Sequence, residues 1–250
     1  MTPKLAVQKF LECHNYIKVV PRAALIDMDG TLYDSMPSHA RAWQQMMAEL
    51  GVDVPREQFF MYEGRTGASQ IKLLFEKYFG VEPTEQQCAD LYRRKTELFA
   101  EMPPVEVMPG AAEMLTFLKE IGVKCVLVTG SGQRTLIDRL QRDFPGIFTP
   151  DTIVSSRDVR HGKPHAEPYL KGLEVAGFQA DEAIVIENAP LGVEAGHRAG
   201  IFTIGVNTGP IDPAALADAG ADLVYDSMTD FAEMLPLVVY SLLTTMNNFN

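Results

Sequence analysis

Short apolar runs and segments of helical period take turns along most of the 250 residues, and few architectures accommodate that alternation. The apolar runs stand at residues 23–27, 123–128, 153–154, 183–186, 201–206 and 223–224. Amphipathic stretches at 111–121, 135–144, 167–176 and 191–199 separate them. Runs that are apolar throughout read as strands covered on both faces, and an intervening helix supplies the crossover that parallel pairing requires. The pattern predicts an α/β chain with a doubly wound parallel sheet of the Rossmann-like kind.

One interval breaks the rhythm. From Asp34 to about Pro104 only helical patterns occur, at 39–50, 56–62, 69–79 and 84–101. One reading is an extended crossover lying on the sheet. The other is an all-helical cap inserted after the first strand, with hinges near 35–37 and 102–109. Prolines in both linkers favour the cap, because they fix chain direction where two units meet. The expected organisation is a helical extension at 1–20, a core made of 21–35 and 105–250, and a cap at 36–104.

A formal charge of −11 disfavours a nucleic-acid partner, whose backbone needs a long basic surface. A small phosphorylated metabolite is compatible with that charge, since a few local donors and one cation can reverse the field within a cleft. The three cysteines, Cys13, Cys88 and Cys125, are far apart and show no metal-ligand spacing. They are expected to be buried thiols in a reducing compartment. Charged residues break up the apolar positions of the first 20 residues, and the apolar stretch 234–246 is too short to cross a bilayer. A cytoplasmic protein with no membrane partner is expected.

In open parallel sheets ligands bind outside the carboxyl ends of the strands, so polar residues there are the first to weigh. The first strand runs into "DMDGT", which sets Asp27 and Asp29 two residues apart beside a tight turn. The next ends in "VLVTGSG", placing the Thr129 hydroxyl next to the amides of Gly130 and Ser131. Lys163 follows in "HGKPHAEPYL", and the strand "AIVIEN" ends in Glu187 and Asn188. The string "DMDGTLYDS" after an apolar strand is a strong signal by itself, the later groups are weak alone, and together they suit phosphoryl transfer. A lysine and a metal ion neutralise the phosphate, while a hydroxyl and amides hold its oxygens. A carboxylate, Asp27, can then attack phosphorus, and Asp29 can serve as general acid and base.

These strings resemble the motifs of the haloacid dehalogenase superfamily, in its phosphatase and β-phosphoglucomutase-like branch with a helical cap. "DMDGTLYDS", "VTGSG", "GKPHAEPY" and "VIENAPLGVEAGHRAG" match the family's four motifs in order, and the likeness spans residues 21–240. The resemblance implies Asp27 as nucleophile, Asp29 as acid/base and Thr129 and Lys163 as phosphate ligands, with Gly130 and Ser131 at the substrate. It implies Mg2+ held by Asp27, the Asp29 carbonyl, Glu187 and Asn188. Relatives usually carry Glu-Asp where this chain has Glu187-Asn188, so one negative charge is missing near the metal. In the cap, His39 and Arg65 are the expected substrate contacts, and Trp43 is expected in the cap core. Mutases of this kind carry K-G-x-x-R in the cap loop, whereas "EGRTG" puts Glu63 at the lysine position and Gly67 at the arginine. Hydrolysis of a sugar or polyol phosphate is therefore the leading expectation. Isomerisation is the alternative, and a catalytically silent metabolite-binding protein is the remote one.

Overall fold

The computed structural model describes residues 1–131 and 134–247. The first apolar run forms β1 (Ala23–Ile26), and the later ones form β2 (Lys124–Val128), β3 (Ile153–Val154), β4 (Ala183–Glu187), β5 (Phe202–Val206) and β6 (Leu223–Tyr225). Among the described residues these make one sheet of order β3-β2-β1-β4-β5-β6 with every pairing parallel. β1 is central, its residues in register with 124–127 of β2 on one side and 183–186 of β4 on the other. The strand order reverses beside β1, which is where a doubly wound sheet leaves a crevice at its carboxyl edge.

The core helices are α1 (Pro3–His14), α6 (Ala111–Glu120), α7 (Arg134–Asp143), α8 (Glu167–Ala176), α9 (Pro190–Arg198), α10 (Pro213–Asp218) and α11 (Met228–Thr244). Strand alternation sends β1 side chains to both layers. Ala24 and Ile26 join a cluster with Phe10 of α1, Leu118 of α6 and Phe231 of α11. Ala23 and Leu25 join Tyr169 and Leu173 of α8 and Ala195 of α9. Burial of Leu25 or Ile26 stabilises by roughly 1.5–3 kcal/mol each, so the base of the site is firmly anchored.

The inserted interval consists of α2 (Met36–Glu49), α3 (Gln58–Met61), α4 (Gly67–Phe79) and α5 (Glu85–Ala100), called the cap below. α5 packs against both α2 and α4. Trp43 sits between Phe59 and Tyr92, as expected of cap core, at centroid distances of 6.5 and 6.3 Å. The Thr66 hydroxyl accepts from Ser69 N at 3.3 Å and starts α4, which fixes where the loop before it must end.

Some boundaries differ from the sequence expectation. α1 stops at His14, well before Pro21, because Asn15 adopts a left-handed conformation (φ 57°) and returns its N–H to Leu11. α2 begins at Met36 rather than His39, since Pro37 in the first turn forfeits no intrahelical bond. The short helix α10 was not foreseen; Asp212 caps it by accepting from Ala214 N. Cys13, expected to be buried, is exposed on α1, while Cys88 and Cys125 are buried as expected. Among the described residues no helix is long and apolar enough to cross a membrane.

Candidate active site

Asp27 follows directly from β1, its N–H still donating to Ile186 O of β4 at 3.0 Å. The chain then turns sharply at Gly30 (φ 78°), whose N–H donates to Tyr33 O. A methyl group at this position would overlap the Asn188 side chain and come within 3.1 Å of Glu63 Oε1. Only glycine fits both the conformation and the space. The same turn lets Thr31 donate to Asn188 Oδ1 at 3.1 Å.

Lys163 is buried and uses all three ammonium protons. It donates to Asp27 Oδ1 at 2.5 Å, Glu187 Oε1 at 2.5 Å and Val128 O at 3.0 Å. Burial alone would lower its pKa, but Asp27 and Glu187 outweigh that and keep it protonated. Glu187 is also fully engaged. Oε1 accepts from Tyr169 OH at 2.8 Å as well as from Lys163, and Oε2 accepts from the amides of Asn188 and Ala189. Gly192 makes room for this carboxylate, since any side chain there would overlap it.

Asp29 meets the cap. Its Oδ1 accepts from Ser35 Oγ at 2.6 Å and lies 3.1 Å from His39 Nε2. His39 Nδ1 is 2.5 Å from Lys95 Nζ, and its ring stacks on Phe99 at 4.3 Å. Burial, reinforced by the Lys95 charge, lowers the His39 pKa and favours the neutral ring. The hydrogen-bond chain that fits has Lys95 donating to Nδ1 and Nε2–H donating to Asp29. Burial tends to raise the Asp29 pKa, but His39, Ser35 and Lys95 together bring it below its ordinary value. Burial pulls Lys95 down to about 7.

Between these groups and the cap lies a cavity of about 50 Å³ lined by Asp27, Asp29, His39, Arg65, Thr129, Gly130 and Ser131, among others. All seven were singled out from the sequence. Lys163 is bonded to Asp27 and Asn188 to Thr31 of the turn that follows, while Glu187 holds Lys163. Thr129 Oγ1 accepts from Ser131 N at 2.9 Å, which orients the loop after β2. The cap loop lies directly on that loop: a methyl on Gly130 would be 2.6 Å from Gly64 O and 3.1 Å from Arg65 O. Arg65 Nη1 reaches Ser69 at 3.2 Å, while Arg65 Nε and Gln70 Nε2 are buried with no hydrogen-bond partner among the described residues.

Two residues of the site escaped the sequence reading. Glu63 appeared there only as a missing lysine; here it is buried and accepts from Asn188 Nδ2 at 2.9 Å. Its pKa is pushed well up by burial and by Asp27, Glu187 and Asp29. Lys95 carried a signal that went unused. It falls on the buried face of α5 with Cys88, Leu98 and Phe99, where a lysine is out of place unless it has a task.

A model of the haloacid dehalogenase-like hydrolases matches residues 24–206. The chain belongs to this family. Hexitol phosphatase A of Escherichia coli is 30% identical over 205 residues, 82% of this chain and 90% of that protein. Glycerol-1-phosphate phosphohydrolase 2 of Saccharomyces cerevisiae is 33% identical over 217 residues, covering 81% and 80%. A solved structure from Bacteroides vulgatus, named as a candidate β-phosphoglucomutase, superposes with TM-score 0.92 at 46% identity over 96% of this chain and 98% of that one. The protein is thus an enzyme of the phosphatase and phosphoglucomutase-like branch of this family.

The donor set suits the magnesium ion that the family implies. Four carboxylates, those of Asp27, Asp29, Glu63 and Glu187, are buried together. Burial and the charges of Glu187 and Asp29 raise the Asp27 pKa against the pull of Lys163. A hard cation relieves such crowding, and carboxylate, amide and backbone oxygens are its preferred ligands.

Proposed function

We propose that the chain is a Mg2+-dependent phosphatase that hydrolyses a compact phosphorylated metabolite through an aspartyl-phosphate on Asp27. The observation that carries this reading is the ion pair between Asp27 and Lys163 at the floor of a carboxylate-rich cavity. In the proposed mechanism an Asp27 oxygen attacks phosphorus and the bond to the leaving oxygen breaks. Asp29 gives that oxygen a proton, which the His39–Lys95 chain can supply, Lys95 titrating at about 7. Water then attacks the aspartyl-phosphate, Asp29 takes its proton, and inorganic phosphate departs. Lys163, whose three protons are held by Asp27, Glu187 and Val128, supplies positive charge beside the phosphoryl group, while the Thr129 hydroxyl and the Gly130 amide bind its oxygens.

Mg2+ would be held by Asp27, the Asp29 carbonyl, Asn188 and Glu63, and would supply charge neutralisation at the phosphoryl group. This amends the expected ligand set. The carboxylate of Glu187 already accepts four hydrogen bonds, and we assign it to holding Lys163 in place. Glu63 restores the charge that Asn188 lacks.

The cavity sets the leaving group. A void of about 150 Å³ holds benzene, whereas this one measures about 50 Å³ with the cap seated on the core. A small void favours a small leaving group, so the smallest sugar and polyol phosphates and compounds of similar size are the first candidates. Phosphate release should be compared for glycerol phosphate, inorganic pyrophosphate, hexose 6-phosphates and β-glucose 1-phosphate. Turnover concentrated in the first two supports the proposal. The mutase reading draws on the Bacteroides vulgatus neighbour. Glucose 6-phosphate forming from β-glucose 1-phosphate faster than free phosphate would establish it instead.

A further inference from the structure

The turn that presents Lys163 also carries groups for which phosphoryl transfer has no use. Two of the five histidines stand in "HGKPH", as His161 and His165 on either side of the lysine. Lys163 points inward and is buried, whereas both histidines are exposed. Their ring centroids are 4.8 Å apart. Glu167, the first residue of α8, completes the group: its Oε2 is 2.8 Å from His161 Nδ1, and its N–H donates to His165 Nδ1 at 3.0 Å. One ligand atom from each of the three lies within 4.8 Å of the other two.

The carboxylate is already set in place. Glu167 accepts from Arg160 N at 2.7 Å and from His161 N at 3.0 Å, and these contacts with the His161 ring lower its pKa to about 2. Two imidazoles and a carboxylate form the donor set of a borderline transition cation and a poor one for Mg2+, which prefers oxygen throughout. Zinc bonds of about 2.0–2.2 Å in tetrahedral geometry place ligand atoms roughly 3.3 Å apart. Side-chain rotation of two exposed imidazoles can close that gap.

We propose that His161, His165 and Glu167 bind a divalent transition cation of the zinc kind, at a site separate from the carboxylate centre. The bound ion would staple the turn that bears Lys163. Gly162 in that turn lies against the cap loop, since a methyl there would be 2.7 Å from Thr66 Cγ2. The staple would thus also stiffen the seat on which the cap rests.

The test is a Zn2+ titration against a chromophoric chelator, in excess Mg2+ so that the carboxylate centre is filled. A Cys13→Ser background removes the exposed thiol as a competing ligand. The proposal expects one tight equivalent, weakened about 100-fold in His161→Gln and in His165→Gln and unchanged in Glu63→Gln. Without zinc, both histidine variants should retain full phosphatase activity, because neither side chain lines the cavity. The absence of a tight equivalent in the parent protein would overturn the proposal. So would unchanged affinity in the double variant His161→Gln/His165→Gln, or loss of the site in Glu63→Gln.

Discussion

On the core side of the cavity Lys163 donates to three acceptors and Glu187 accepts four hydrogen bonds, whereas on the cap side Arg65 Nε and Gln70 Nε2 are buried without a partner among the described residues. Glu63 has one hydrogen bond, and burial depresses the Lys95 pKa to about 7. Buried polar groups in native proteins are normally satisfied, and exceptions mark places where something else binds. On the proposed function, the core wall is built in advance for a phosphoryl group, which every substrate shares. On the same reading the cap wall keeps open valences for the leaving group, which differs between substrates. Substitutions on the core side should therefore strike rate and stability, and those on the cap side should strike affinity.

The largest effect is expected at Asp27. Asp27→Asn should lower kcat by about six orders of magnitude with the far-ultraviolet circular dichroism unchanged, as for loss of another nucleophile. Lys163→Met should abolish turnover too and also destabilise the protein by roughly 3–5 kcal/mol in chemical denaturation, because it strands Asp27 and Glu187. An active Lys163→Met enzyme would erase the distinction between the two walls.

Next comes the metal. Chelation should abolish activity and Mg2+ restore it. Glu63→Gln should weaken Mg2+ binding by about 10–100-fold in calorimetric titration. Glu187→Gln should lower kcat while leaving Mg2+ affinity nearly intact, and Asn188→Asp should tighten it. Equal losses of affinity in Glu63→Gln and Glu187→Gln would return Glu187 to the ligand set.

Lys95 gives an effect that depends on pH. In the folded protein it holds a proton only below about 7, against an ordinary lysine value of 10.5. Folding is opposed most below pH 7, where the buried amine is charged, and the penalty fades as pH rises toward 10.5. Lys95→Met should add on the order of 3 kcal/mol of stability at pH 6, shrinking steadily toward pH 10 in urea titrations. It should also blunt the dependence of kcat on pH near neutrality. The smallest effect is expected at the unpaired donors. Arg65→Ala and Gln70→Ala should each raise KM by about tenfold with stability changed by less than about 1 kcal/mol.

The same contrast explains what the sequence disclosed. The sheet and its flanking helices were legible because uninterrupted apolar runs and helical periods are local signals. Asp27, Thr129, Lys163 and Glu187 were legible because each ends or follows an apolar run, and strand order then gathers them. Glu63 was not, because its meaning depends on a cap loop folding back onto Asn188, a contact spanning 125 positions. Lys95 depended likewise on α5 packing against α2, although its place on an apolar face was visible. The ligand role expected of Glu187 conflicts with its hydrogen bonds, which come from Tyr169 and two amides that no strand-end pattern reveals.

The most direct test of covalent phosphoryl transfer is rapid-quench peptide mass spectrometry of Asp29→Asn mixed with glycerol phosphate or pyrophosphate in the presence of Mg2+. The account predicts that one phosphoryl group accumulates on the peptide containing Asp27, faster than free phosphate appears. Phosphate released in step with substrate loss, with no modified Asp27 peptide at any time and full turnover retained in Asp27→Asn, would contradict it.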